Sequence, residues 1–97
     1  MATLVVKKRV AACVNIIPHI RSLFWWNGRP EKAREALLIL KTTQSCFNTL
    51  KSVIAAAHPY DVPEILGVTV EHGHEPYLAW VRSSVVAGGH KDYASSP

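Results

Sequence analysis

His58, the pair His72 and His74, and the two cysteines Cys13 and Cys46 are the side chains here best suited to hold a metal or act as nucleophiles. His58 closes a helix-like run and precedes Pro59. It suits a metal ligand, yet one imidazole does not fill the coordination sphere of copper or zinc. The alternative role needs no second residue: a polar ring ending the helix at the negative pole of its dipole. His72 and His74 lie two apart on a turn between Glu71 and Glu75. They could meet one ion, but without a third, rigid ligand a solvated polar turn accounts for them better.

Cys13 sits in an apolar strand-like run, which points to a buried thiol. Cys46 opens a helix, where a thiol is activated, and is the better candidate for reactivity; burial competes with that role. Trp25 and Trp26, beside Phe24, precede a tight turn. Large aromatics at a protruding tip anchor interfaces, and stacking on a ligand is their sharper alternative. No carboxylate pair, no supported Ser/His/Asp set, no phosphate-cradling glycine loop and no CxxC is present. The expectation is a protein that is not an enzyme.

The elements that must position these residues follow from periodicity. Residues 3–9 allow two helical turns ending in Lys7-Lys8-Arg9, at the pole that favours cations. Residues 11–26 alternate, with Ala12, Val14, Ile16, Ile20, Phe24 and Trp26 forming one apolar face. Pro18 predicts a bulge or an edge. A strand over 11–26 would reach roughly 50 Å, far more than a small domain covers. Its outer half, Leu23 to Trp26, is therefore expected to project and pair with another subunit. Asn27-Gly28 predicts a hairpin turn, since both residues accept positive φ. The return strand spans 31–42, and its continuous run Ala36 to Leu40 predicts burial on both faces.

A helix is expected over 44–57, capped by Thr43 or Ser45, with Phe47, Leu50, Val53, Ile54 and Ala57 inward. His58-Pro59 stops it. A strand is expected over 64–70. A last helix should start at Glu75-Pro76, carry Tyr77, Leu78, Val81 and Val85 inward, and end at Gly88-Gly89. Residues 1–86 would form one domain and 87–97 a polar tail.

With 97 residues, 48% of them hydrophobic and 19% charged, the chain has globular composition. Its formal charge of +4 is scattered, only Lys7-Lys8-Arg9 being contiguous, so a solvated helix end fits better than a nucleic-acid footprint. No apolar run is long enough to span a bilayer, and no basic-then-apolar leader appears. The expected location is cytoplasmic, with reduced thiols and no direct membrane insertion.

Five runs stand in a shared order. They are Ala11-Ala12-Cys13-Val14-Asn15-Ile16-Ile17-Pro18, Trp25-Trp26 with its glycine turn, Leu38-Ile39-Leu40-Lys41-Thr42, His58-Pro59-Tyr60-Asp61-Val62-Pro63-Glu64-Ile65, and Tyr77-Leu78-Ala79-Trp80. Together they resemble the CutA family of divalent-cation tolerance proteins over about residues 3–86. The resemblance implies an α+β, ferredoxin-like βαββαβ sandwich, here without its first strand, with a long hairpin serving trimer assembly. It implies a non-catalytic homotrimer similar to PII-type signalling proteins, which bind small effectors between subunits. Bacterial members are linked to copper and divalent-cation tolerance, animal members to the handling and anchoring of acetylcholinesterase. By resemblance, Trp26, Lys41, Tyr60 and Glu64 surround the intersubunit cleft, either as a small-ligand site or as ties holding the trimer. Phe24, Trp25 and Trp26 lie at the trimer interface.

The sequence also departs from the family. The first strand, which supplies a cysteine to the bacterial copper site, has no counterpart, and Cys13 does not replace that cysteine. Of two adjacent histidines before Pro-Tyr only His58 remains, its neighbour being Ala57. The acidic run after the turn reads Glu31-Lys32-Ala33-Arg34-Glu35. Two functions stay open: a trimer binding copper, another divalent cation or a small ligand, or an isoform that has lost the metal site and co-assembles with full-length CutA-like subunits.

Overall fold

The computed structural model of the chain describes residues 1–89. The elements run α1 (Ala2–Lys7), β1 (Cys13–Trp26), β2 (Arg29–Lys41), α2 (Gln44–Ala57) and α3 (Glu75–Ser84). The 90–97 part of the expected tail lies outside the described residues.

Six residues of helix are too few to persist alone, and α1 is held by how it ends. Arg9 adopts φ 59°. This left-handed residue lets the Arg9 amide donate to the Val6 carbonyl at 3.0 Å and the Val10 amide to the Val5 carbonyl at 3.1 Å. The two bonds form a Schellman cap. Its accompanying apolar contact is Val5 with Val10, both fully buried. These two, with Ala11, Leu50 and Ile54, form the core cluster, onto which Val14, Leu40, Val53 and Ile65 pack.

β1 and β2 pair antiparallel from Cys13↔Lys41 to Trp26↔Arg29. Asn27 and Gly28, at φ 51° and 75°, close the hairpin as its Asn-Gly signal predicts. The irregularity expected at Pro18 is also present: Ile17 pairs with Leu37 but Ile20 with Glu35, so β1 carries one extra residue, and His19 takes φ 60°. That extra residue corrects the expected single apolar face. Directly opposed residues share a face, so Val14 and Leu40 lie on the side that packs on the core, and Ile16 and Leu38 share that side farther along, Ile16 being 56% exposed beyond the helices' reach. Beyond the bulge the parity inverts. Ile20, Phe24 and Trp26 lie on the other side with Glu35, Glu31 and Arg29, and Arg21, Leu23 and Trp25 take the side of Leu40.

Burial of Ala36 to Leu40 on both faces is likewise corrected. Leu37 and Ile39 are 46% and 45% exposed, because the helices cover only one side of this hairpin within the chain. Of the expected inward residues of α2, Leu50 and Ile54 are buried and Val53 packs on the core, and Cys46 joins them in an i, i+4, i+8 series; Phe47 is only half-buried and Ala57 is exposed. Thr43 is the N-cap residue of α2, although its hydroxyl contacts Ser45 Oγ at 3.1 Å instead of a backbone amide.

The strand expected over 64–70 is not formed. Among the described residues none in this segment makes a backbone–backbone hydrogen bond, and the sheet has two strands. The alternation is nevertheless present. Ile65 packs on the core and Gly67 lies against the Phe47 ring, while Leu66, Val68 and Val70 are 79%, 89% and 71% exposed. The sequence has strand character and lacks only a ladder neighbour. α3 ends at Ser84, short of Gly88, because the Val86 amide leaves the helix to donate to the Arg9 carbonyl at 2.8 Å.

Candidate functional site

His58 is the C-cap residue of α2, its amide donating to the Ile54 carbonyl at 2.8 Å. Its Nδ1 accepts the Tyr60 amide at 3.0 Å, and the two rings stand 4.9 Å apart, tilted by 60°. The imidazole therefore ends the helix and starts the next turn, with Nε2 the nitrogen left to face an ion. Among the described residues no three His, Cys, Asp or Glu side chains gather in a metal-holding group. His72 and His74 are exposed, and no such group forms around them with Glu71 and Glu75.

Lys41 is already engaged. Its Nζ donates to Asn15 Oδ1 and lies 3.9 Å from Cys13 Sγ. The register explains this: Cys13 faces Lys41 directly and Asn15 is the next residue of β1 on that face. Sequence reasoning missed Asn15. Counting strand positions back from the Asn27-Gly28 turn finds it only when the extra residue at Pro18 is included. Thr42, also missed, ties the end of β2 to the core through a 2.7 Å bond from its Oγ1 to the Val10 carbonyl.

Trp26 stands at the opposite end of the hairpin, opposite Arg29 and 59% exposed. Twelve strand positions separate Arg29 from Lys41, roughly 40 Å at strand rise. One chain therefore cannot bring Trp26 to Lys41. Tyr60 and Glu64 are exposed in the loop after α2. Phe24 and Trp25 are 40% and 75% exposed. The cysteines are free; Cys46 is fully buried, while Cys13 is only half-buried, against the expectation from its apolar run. Among the described residues no helix is long and apolar enough to cross a membrane.

Solved structures similar to the chain include CutA proteins. The divalent cation tolerance protein from Thermus thermophilus superposes with a TM-score of 0.86 at 41% identity, covering 88% of this chain and 82% of that one. CutA1 from Oryza sativa gives 0.85 at 39% identity, covering 88% and 78%. In sequence, the human protein CutA is 45% identical over 82 residues, 84% of this chain and 46% of the relative. The Thermus thermophilus relative is 42% identical over 84 residues, 87% and 82% respectively. The chain thus spans about half the length of the human relative. These neighbours share the expected α+β, ferredoxin-like fold. The family model of the CutA1 divalent ion tolerance protein matches residues 1–84, and the chain belongs to that family.

Proposed function

We propose that the chain is a non-catalytic subunit of a trimer that responds to divalent cations, binding copper or a small charged ligand in a cleft between subunits. The supporting observation is the roughly 40 Å of hairpin between Trp26 and Lys41. A cleft holding Trp26, Lys41, Tyr60 and Glu64 needs the tip of one subunit laid against the base of another. Exposed Leu23, Phe24, Trp25 and Trp26 give that tip its apolar contact surface. Ile17, Leu37 and Ile39, each 39–46% exposed, continue the side of the hairpin that Phe24 and Trp26 occupy. His58 would offer Nε2 as one ligand in each of the three clefts, other side chains of the adjoining subunit completing each site. The acetylcholinesterase-handling role of animal relatives would use such an assembly as a holder.

Light scattering on the eluted protein tests the assembly, with a mass of three 10.7 kDa chains expected. Copper titration by calorimetry tests the ligand, with one ion per subunit expected and lost in His58→Ala. A stable monomer that takes up no copper would sink the reading.

One observation favours a second reading. Residues 64–70 keep strand alternation, make no ladder bond and expose three apolar side chains. Such a segment is a template for strand addition. In this reading the chain has lost the metal site and joins longer CutA subunits. Co-expression with tagged human protein CutA, followed by native mass spectrometry, distinguishes the two readings: mixed trimers support this one and exclusively like-with-like species oppose it.

A further inference from the structure

Arg21 and Arg34 are directly opposed in the hairpin, and Lys32, two positions from Arg34, shares their face with Leu23. Like charges placed directly across a ladder destabilise the pair. Among the described residues no acid relieves it. The ion pairs Arg29–Glu31 and Arg82–Glu75 lie elsewhere and include none of the three cations. Glu31 and Glu35, the nearest acids in sequence, face Phe24 and Ile20, so the alternation of the strand puts them on the opposite side. Arg21, Ser22, Leu23, Lys32, Ala33 and Arg34 line an open cavity of about 300 Å³. All three cations are exposed.

We propose that Arg21, Lys32 and Arg34 form a binding site for an oligophosphate anion, an activity independent of the intersubunit cleft. Two guanidinium groups carried side by side on one face suit phosphate oxygens bidentately, and the lysine adds a point charge on the same face. A bound polyanion turns a repelling cross-strand pair into a bridged one. The bulge at Pro18 makes the site possible: without its extra residue, Arg21 would point to the other side of the sheet from Lys32 and Arg34.

Sodium tripolyphosphate titrated into the whole chain, followed by calorimetry and backbone amide shifts, tests the site. Binding is expected with shifts centred on residues 21–23 and 32–34, weakening about tenfold between low and physiological salt. Arg34→Gln should weaken it at least tenfold. Arg34→Glu should abolish it while raising the melting temperature, because an Arg–Glu pair replaces an Arg–Arg pair; loss of binding then cannot be loss of fold. ATP distinguishes the ligand's source. Affinity equal to tripolyphosphate assigns recognition to the phosphate chain, and tighter binding assigns a nucleotide as the ligand's source. No binding at millimolar tripolyphosphate, or binding unchanged in Arg34→Glu, overturns the proposal.

Discussion

The Val10 amide donates to the Val5 carbonyl at 3.1 Å, and the two side chains meet in the centre of the core. One residue, Arg9, makes this possible by turning left-handed at φ 59°. A side chain there costs about 1 kcal/mol that glycine avoids. Arg9→Gly should therefore be more stable than Arg9→Ala by about 1 kcal/mol. Ala is the proper reference because both variants lose the charge near the helix end. Urea midpoints of the two proteins check it, and equal midpoints would mean the cap is not strained.

The hairpin was legible in the sequence because its signals are local: alternation, Asn27-Gly28 and Pro18 each act over a few residues. The helix over 44–57 was legible for the same reason. What escaped depends on counting through the bulge. One extra residue near Pro18 moves Phe24 and Trp26 to the side opposite Val14 and sets Arg21 against Arg34. The expected strand at 64–70 fails for a different reason. Its alternation is real, but a strand also needs a neighbour, and no local signal reports one. At the candidate site, the role of His58 as a helix terminator was readable from Pro59. The capture of Lys41 by Asn15 was not, since it joins residues 26 apart.

The two thiols should separate cleanly. Cys46 is fully buried in α2 and Cys13 only half-buried beside Lys41. A thiolate must reach its reagent to react. A chromogenic disulfide reagent should modify one thiol per native chain, identified as Cys13 by peptide mass, and both in denaturant. Equal rates at the two sites would show that α2 opens as readily as β1.

Leu50 sits at the middle of the inward stripe of α2, 4% exposed, between Cys46 and Ile54. Truncating a buried leucine removes its transfer energy and leaves a cavity, about 2–5 kcal/mol together. Leu50→Ala should lose at least about 2 kcal/mol in urea unfolding. Asn48→Ala, on the exposed side of the same helix, should stay within about 0.5 kcal/mol of the parent.

Gly67 reports whether residues 64–70 are fastened to α2 or merely near it. A Cβ built there would lie 2.8 Å from Phe47 Cε1 and 3.2 Å from Cζ, so the ring must move to admit one. The ring is half-buried, with Lys51 Nζ 5.6 Å from its centre, and can swing outward only by giving up contact. Gly67→Ala should cost about 1 kcal/mol, within the range for overpacking a close contact. Phe47→Leu, which shortens the ring side, should relieve much of that cost, giving a coupling of about 0.5–1 kcal/mol in a double-mutant cycle. Strict additivity would mean that the segment rides free of the helix. A strand joining it could then shift the whole of 64–70; with coupling, an incoming strand finds Leu66, Val68 and Val70 already in place.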